Sequence, residues 1–252
     1  MNLVRVIPVL LLSDDGLVKT TCFKDRRYIG DPINAVKIFN EKEADELCLL
    51  DIDATKNNTE PDYNKIREIV SEAFMPVTYG GGVNKLEHFE NLFNLGVEKV
   101  AVNSCLFENP ETVKDAVNIF GSQSIVASLD FKKNFLKHYK VLSHCGSKNQ
   151  KKTFDQVLKL LKALDCGECI INSIDNDGKM NGYDLKLVKF FAKKLRIPVV
   201  SLGGAASIDD FKKSVSVGSS AVAGGSFFIY QGTRKAVLIS YPNEQEILSL
   251  SK

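Results

Sequence analysis

The chain of 252 residues contains an internal repeat. Residues 76–104 and 198–226 align without a gap at a constant offset of 122 (residue 198 against residue 76), close to half the chain. Each copy has an apolar segment, a Gly-Gly turn, an amphipathic segment, a Gly and a second apolar segment. Halves that repeat a βαβ unit indicate a closed ring of eight parallel strands, a (β/α)8 or TIM barrel of the α/β class. We therefore expect residues 1–252 to form one barrel domain with a half-barrel repeat, since nothing linker-like separates the halves.

Composition and charge exclude several classes of function. The chain is 44% hydrophobic and 25% charged, with a net charge of +2 and interleaved charges, which gives no reason to expect a nucleic-acid partner. The longest apolar run, residues 7–12, is too short to cross a bilayer. Six scattered Cys suit reduced thiols, and the one CxxC pair, Cys166 and Cys169, has no second pair of ligands. We expect a cytoplasmic protein with no membrane partner, metal or cofactor.

Apolar segments bounded by turn residues recur at barrel spacing. They predict eight strands, at residues 4–11, 46–52, 76–79, 99–103, 124–130, 168–173, 198–202 and 220–223. Amphipathic segments at 86–95, 154–164 and 185–195 predict helices between strands. Residues 135–143 alternate apolar with polar side chains and predict an extra hairpin after the fifth strand.

The repeat also places glycines and small polar residues after strands. In a (β/α)8 barrel the loops at the C-terminal ends of the strands build the site, and Gly lets backbone N–H groups approach an anion. Two symmetric copies predict two phosphate sites across one mouth, and thus a diphosphorylated small molecule. The residues of the two copies are Gly81, Gly82, Asn103 and Ser104, and Gly203, Gly204, Gly225 and Ser226. The alternative is that these glycines only form tight strand-to-helix turns.

Asp130 follows the fifth apolar segment, at a strand end where a carboxylate can act as general acid or base. The alternative is a capping or turn aspartate. His88, His138 and His144 lie on a helix or in the predicted insertion, so we expect no catalytic histidine.

Several motifs together resemble one known family. Arg5-Val-Ile-Pro, Gly80-Gly-Gly, Glu98-Lys-Val-Ala-Val-Asn-Ser, Ser173-Ile-Asp-Asn-Asp-Gly and Gly203-Gly-Ala are similar to the cyclase subunit of imidazole glycerol phosphate synthase. The resemblance covers residues 1 to about 230. It implies a (β/α)8 barrel that forms a heterodimer with a glutaminase and takes ammonia in at the N-terminal end. At the opposite end, in histidine biosynthesis, the ammonia closes an imidazole ring.

The resemblance assigns roles to individual residues. It implies that Asp130 is one of two catalytic aspartates and that Lys19 belongs to a mobile loop over the site. It also implies that five residues bind the substrate phosphates, of which Ser104 and Gly225 differ in type from the family: Gly82, Asn103, Ser104, Gly204 and Gly225. Four charges match the ammonia gate at the barrel floor, and two acidic residues match the glutaminase interface: Arg5, Glu46, Lys99 and Glu168; Asp45 and Glu98. A structural alternative for the four charges is a set of salt bridges that closes the floor.

Two departures put the cyclase chemistry in doubt. Leu11 occupies the position of the other catalytic aspartate, and Asp14 and Asp15 lie beyond the predicted strand end. Residues 227–242 replace the last amphipathic helix, and residues 237–242 predict an extended segment. Both departures resemble the glycosyl amidation-associated paralogues. That branch implies ammonia supply to a separate sugar amidotransferase, which converts an N-acetyl group on a nucleotide sugar to an acetamidino group.

Three hypotheses follow. The first is a synthase-type barrel subunit of a glutamine amidotransferase that conducts ammonia for nucleotide-sugar amidation in surface-polysaccharide biosynthesis. The second is an authentic cyclase, in which Asp14 or Asp15 takes the lost role and imidazole glycerol phosphate and aminoimidazole carboxamide ribotide are formed. The third is a non-catalytic barrel that only activates the glutaminase.

Overall fold

The computed structural model of the protein describes residues 4–13 and 16–251. The strands are β1 (Arg5–Ser13), β2 (Gly16–Thr21), β3 (Lys24–Gly30), β4 (Leu47–Asp51), β5 (Val77–Gly80), β6 (Lys99–Val102), β7 (Ile125–Lys133), β8 (Tyr139–Ser143), β9 (Lys148–Asn149), β10 (Glu168–Ser173), β11 (Val199–Leu202), β12 (Ala221–Gly224), β13 (Tyr230–Gln231) and β14 (Ala236–Val237). The α-helices are α1 (Pro32–Glu41), α2 (Ala54–Asn57), α3 (Tyr63–Ser71), α4 (Leu86–Asn94), α5 (Ser104–Glu108), α6 (Pro110–Phe120), α7 (Phe154–Leu164), α8 (Leu185–Lys194), α9 (Ile208–Ser216), α10 (Ser226–Ile229) and α11 (Glu244–Leu248).

Eight strands close into a parallel barrel. Their order around the ring is β1, β4, β5, β6, β7, β10, β11 and β12, and the pairing of β12 with β1 closes it. The predicted (β/α)8 barrel is therefore confirmed. Each predicted strand matches an observed one within three residues at either end.

The internal repeat is visible in the element boundaries. β5, α4, β6 and the start of α5 match β11, α9, β12 and the start of α10 at an offset of 122 residues (Val199 against Val77). β5 and β11 stand four places apart in a ring of eight, so the copies face each other across the barrel. Phe89 and Phe211, which are equivalent in the repeat, are both fully buried. The half-barrel repeat is confirmed.

Local capping signals fix several helix starts. Asp31 accepts a hydrogen bond from the backbone N–H of Asn34 and precedes Pro32 at the first turn of α1. Thr153 and Gln156 form a reciprocal capping box at α7, whose predicted bounds of 154–164 are matched in full.

Two hairpins and a tail extend the barrel. The predicted hairpin after the fifth barrel strand is present, with β8 antiparallel to β7. A second hairpin, β2–β3, follows β1, and sequence patterns did not predict it because β3 is polar and largely exposed. Part of the tail is extended as expected, since β14 pairs with β13 before the short helix α11.

The barrel has two apolar layers. The larger lies between strands and helices and contains Phe39, Phe191 and Phe228. The smaller fills the barrel interior with side chains that include Ile7, Val9, Cys48, Val126, Ile170 and Val200. In the described part of the chain, no helix is long and apolar enough to cross a membrane.

The aromatic cluster around Phe191 predicts where stability is concentrated. Phe191 is 0% exposed and contacts Phe131, Phe154 and Phe190, whereas Phe135 is 92% exposed. Phe191→Ala should lower the free energy of unfolding by about 3–5 kcal/mol, because it leaves a cavity. Phe135→Ala should change it by less than about 0.5 kcal/mol. Urea titration followed by circular dichroism measures both; equal losses would contradict this account of the core.

Candidate functional site

A cavity of about 140 Å³ opens at the C-terminal ends of the barrel strands. It brings together residues that lie far apart in sequence: Lys19, Gly82, Asn103, Ser104, Asp130 and Gly225. Gly204 lies outside this cavity, and its carbonyl accepts a hydrogen bond from the backbone N–H of Gly182 at 2.7 Å. One predicted phosphate site therefore has Gly82, Asn103 and Ser104 on the cavity wall. Of the other site, Gly225 lines the cavity and Gly204 does not.

Asp130 lies on the cavity wall at 8% exposure. Its carboxylate accepts hydrogen bonds from Asn172 Nδ2 at 2.9 Å and Asn103 Nδ2 at 3.3 Å. Burial raises the pKa of Asp130 to about 7, against a smaller lowering by the Asn172 bond, and Asp177 adds to the rise. A carboxyl group with a pKa near neutrality can gain or lose a proton at physiological pH, as a general acid or base must.

Strand β1 presents apolar side chains to the same cavity. Val9 and Leu11 line it, and Leu11 pairs with Leu50 on the neighbouring strand. Asp14 and Asp15, the candidates to replace the missing carboxylate, lie outside the described residues.

A second carboxylate comes instead from the loop after β10. Asp177 lines the cavity and accepts a hydrogen bond from Thr20 Oγ1 at 3.2 Å. Burial raises the pKa of Asp177, although the nearby ammonium of Lys19 opposes the rise.

The β2–β3 hairpin covers the mouth. Lys19 is 4% exposed and its ammonium lies against Gly225, so close that any side chain there would collide with it. Burial lowers the pKa of Lys19. The backbone N–H of Cys22 donates to the carbonyl of Asp177 at 2.9 Å, and Arg26 forms a salt bridge with Asp53. Lys19 therefore lies in a hairpin with contacts on two sides of the barrel, and its role in a mobile loop stays a prediction.

The Gly-Gly turns have a structural reason of their own. Gly81 and Gly203 have φ of +123° and +90°, and a Cβ would lie 2.4 Å from the carbonyl oxygen of Asp51 or 2.6 Å from that of Ser173. Both copies therefore need glycine for close packing of the turn against the end of the preceding barrel strand. Phosphate binding at these turns stays a prediction. Ser104 Oγ, one of the predicted phosphate ligands, accepts a hydrogen bond from the backbone N–H of His144 at 3.1 Å.

Four charges form a closed ring at the floor of the barrel. Arg5 contacts Glu46 at 2.5 Å and also forms a salt bridge with Glu168, while Lys99 contacts the same two carboxylates at 3.0 and 3.3 Å. Thr78 Oγ1 donates to the remaining oxygen of Glu46 at 2.8 Å. We call Arg5, Glu46, Lys99 and Glu168 the charged ring.

The charged ring is electrostatically balanced. Glu46 and Glu168 are only 4% and 5% exposed. Burial alone would raise the pKa of Glu46, but Lys99 and Arg5 outweigh burial and the net pKa lies below its usual value. Removing one partner of such a buried pair typically costs about 3–5 kcal/mol.

A second, smaller cavity lies directly inside the charged ring. Its volume is about 10 Å³, and its walls are apolar apart from Glu46, Glu168 and Thr78. Val9 lines both this cavity and the one at the mouth. The barrel axis therefore runs from a charged floor, through an apolar interior, to a polar mouth.

The two acidic residues expected at a glutaminase interface lie at the floor and are exposed. The carboxylate of Asp45 accepts a hydrogen bond from the backbone N–H of Val6 at 2.9 Å. Glu98 immediately precedes β6. Their contact with a partner stays a prediction.

Sequence reasoning missed several residues of the site. Asn172 and Thr78 occupy alternate inward positions on their strands, and strand alternation could have identified them. Arg26 and Cys145 reach the mouth only through tertiary folding of the two hairpins. Within residues 4–13 and 16–251, no group of three or more His, Cys, Asp or Glu side chains could hold a metal ion.

Comparison with known proteins gives the family. Residues 5–235 match the model of the histidine biosynthesis protein family. The chain belongs to this family. A protein of Leptospira borgpetersenii is 48% identical over 241 residues, 95% of each chain, and one of Pseudomonas aeruginosa is 47% identical over 247 residues, 96% of this chain and 97% of the relative. Both carry the name imidazole glycerol phosphate synthase subunit provisionally, as HisF and hisF2.

A relative that carries the name HisF without qualification is less similar. The imidazole glycerol phosphate synthase subunit HisF of Endomicrobium trichonymphae is 37% identical over 230 residues, 90% of this chain and 88% of the relative. The resemblance to the cyclase-subunit family is thus confirmed.

The raised pKa of Asp130 predicts a specific pH dependence of stability. An unfolded aspartate titrates near 3.9, so the folded state binds more protons than the unfolded state between that pH and about 7. Stability from this group is present below the unfolded pKa and falls as the pH rises. Wild type should therefore lose about 2 kcal/mol more than Asp130→Asn between pH 5.5 and 8.5. Urea titrations at both pH values test this; parallel losses would contradict the raised pKa.

Proposed function

We propose that this chain is the synthase-type barrel subunit of a glutamine amidotransferase. It pairs with a glutaminase subunit, takes up ammonia at the charged ring, and passes it through the barrel to the mouth. A separate sugar amidotransferase then uses the ammonia to amidate a nucleotide sugar, as the paralogue resemblance implies.

The observation that carries this proposal is the charged ring with a cavity directly inside it. Neutral ammonia can pass an apolar interior, whereas ammonium would lose its hydration there at high cost. A ring of paired charges at the entrance, followed by Ile7, Val126 and Val200, suits the neutral molecule.

Leu11 favours ammonia delivery over ring closure. Its side chain lines the same cavity as Asp130, and it cannot donate or accept a proton. A positioned general acid or base typically contributes 10²–10⁴ in rate. Four relatives at 45–48% identity carry provisional names, two of them numbered hisF2 and hisF3, whereas three relatives with the unqualified name share 33–37%. This distribution favours a paralogous branch.

The second candidate function is the cyclase reaction of histidine biosynthesis. Asp130 and Asp177 both face the mouth cavity, and the pKa of Asp130 is about 7. Two carboxyl groups in one cavity supply the minimum for acid and base steps on a phosphorylated substrate.

An assay of imidazole ring closure distinguishes ammonia delivery from the cyclase reaction. With ammonium and the phosphoribulosyl formimino-carboxamide ribonucleotide, wild type should form no detectable imidazole glycerol phosphate, because a proton carrier is missing opposite Asp130. Leu11→Asp should raise turnover into the detectable range, by about 10²-fold, at the lower end of what a positioned acid or base contributes. Leu11→Asn should give no such increase, because its side chain has the shape of aspartate but no titratable proton. Product formation is followed by chromatography. Robust wild-type turnover would establish the cyclase instead.

A substitution in the charged ring distinguishes a barrel that conducts ammonia from one that only activates the glutaminase. In a complex with the glutaminase and the sugar amidotransferase, Glu46→Ala should lower amidation per glutamine hydrolysed, because the ring loses the partner of Arg5 and Lys99. Amidation driven by added ammonium should be unchanged. Glu111→Ala, at an exposed position on α6, is the control. Unchanged glutamine-driven amidation in Glu46→Ala would favour a barrel that only activates the glutaminase.

A further inference from the structure

On its β4 side, the first barrel strand is held at the floor by side chains, whereas on its other side Arg5 and Val6 pair with β12. The ladder between β1 and β4 joins residues 9–12 to residues 48–51 and stops above Val6. The backbone N–H of Val6 donates instead to Asp45 Oδ2 at 2.9 Å, and its carbonyl accepts from the Tyr241 hydroxyl at 2.8 Å. Buried backbone groups need such partners. Two side chains therefore replace the ladder between β1 and β4 at this level.

The same hydroxyl makes a second contact. Tyr241 Oη accepts a hydrogen bond from the backbone N–H of Asp45 at 3.1 Å. Val6, Asp45 and Tyr241 are thus joined by three hydrogen bonds, and we call them the floor clasp. Val6 follows Arg5 and Asp45 precedes Glu46, so the clasp lies one residue from each member of a 2.5 Å ion pair of the charged ring.

Packing fixes where the Tyr241 hydroxyl lies. The aromatic ring of Tyr241 stacks on Phe228 at a centroid distance of 5.8 Å and an interplanar angle of 22°. Phe228 is fully buried and packs edge-on against Phe39 of α1. The backbone N–H of Ser240 also donates to the carbonyl of Phe228 at 2.8 Å. The tail is therefore anchored in the core on one side of Tyr241 and reaches the floor on the other.

We propose that Tyr241 is a positioning residue for the charged ring. Its hydroxyl holds the backbone of Val6 and Asp45 at a fixed spacing, and so keeps Arg5 and Glu46 in contact at the entrance of the barrel. The attraction between two charges falls as they separate, so a shift of either backbone segment weakens the ring. The functional consequence rests on the proposed entry of ammonia through the ring; the positioning itself does not.

The titration of Glu46 reports the position of its partners. Glu46 faces Arg5, Lys99, Glu168, Thr78 and Cys48, and Asp45 precedes it in sequence. The cations hold the pKa of Glu46 below its usual value, so a looser contact with Arg5 must raise it.

The decisive variant is Tyr241→Phe, which removes only the hydroxyl and keeps the ring stacked on Phe228. NMR titration of protein with ¹³C-labelled glutamate should show a higher pKa for Glu46 than in wild type. Tyr139→Phe is the matched control, because the Tyr139 hydroxyl also donates a hydrogen bond, shared between the two carboxylate oxygens of Asp184 at 2.9 Å each, outside the floor. An unchanged Glu46 titration in Tyr241→Phe, or an equal change in the two variants, overturns the proposal.

Amide hydrogen exchange tests the clasp in the unmodified protein. Asp45 is an exposed residue whose N–H donates to Tyr241, so its exchange should be at least about tenfold slower than in an unstructured peptide. The exchange should accelerate about tenfold in Tyr241→Phe. If that variant does not fold, unprotected exchange at Asp45 in wild type still overturns the clasp.

Transfer of ammonia connects the clasp to function. In the complex with glutaminase and sugar amidotransferase, Tyr241→Phe should lower glutamine-driven amidation and leave ammonium-driven amidation unchanged. A shifted Glu46 titration with no glutamine-driven transfer even in wild type would refute the proposed function and leave the positioning role intact. A shifted titration with normal transfer in the variant would refute the functional consequence of positioning.

Discussion

The closure of eight parallel strands is the constraint from which the rest of this structure follows. Parallel pairing aligns every N-terminal strand end at the floor and every C-terminal end at the mouth. It also directs alternate side chains of each strand into a narrow interior. Residues 5, 46, 99 and 168 meet at the floor for this reason, although 163 positions separate the first from the last. Further along the strands, the same alternation produces an apolar layer and then Asn103, Asp130 and Asn172 around one cavity.

The buried carboxyl groups at the two ends of the barrel have different electrostatic surroundings. At the floor, two carboxylates and two cations satisfy one another, so buried charge is tolerated and the pKa of Glu46 stays low. At the mouth, Asp130 has amide partners and a neighbouring carboxylate, so burial dominates and its pKa rises to about 7. A buried carboxyl group thus carries charge at one end and holds a proton near neutrality at the other.

The accessory segments tie these ends to the outer core. The β2–β3 hairpin brings Lys19 over Gly225 and is held by Asp53 and Asp177. The tail stacks Tyr241 on Phe228 and ends with hydrogen bonds at the floor. Neither segment adds a barrel strand, yet each one positions a polar group next to an end of the axis. The proposed ammonia route therefore depends on segments outside the eight-stranded frame as well as on the frame itself.

The sequence alone determined the repeat and the eight strands, because hydrophobic periodicity and the spacing of turn residues are local properties of the chain. The residues of the charged ring were implied by the resemblance to the cyclase family. The position of Asp130 at a strand end located it at the mouth, and the same resemblance located Leu11 there. Only the tertiary structure decided which predicted residues share one cavity, since Gly204 packs against Gly182 outside it and Ser104 bonds to His144. It alone revealed Asn172 beside Asp130 and Tyr241 beside Val6, because contacts between residues 42 or 235 positions apart depend on how hairpin, tail and strands pack.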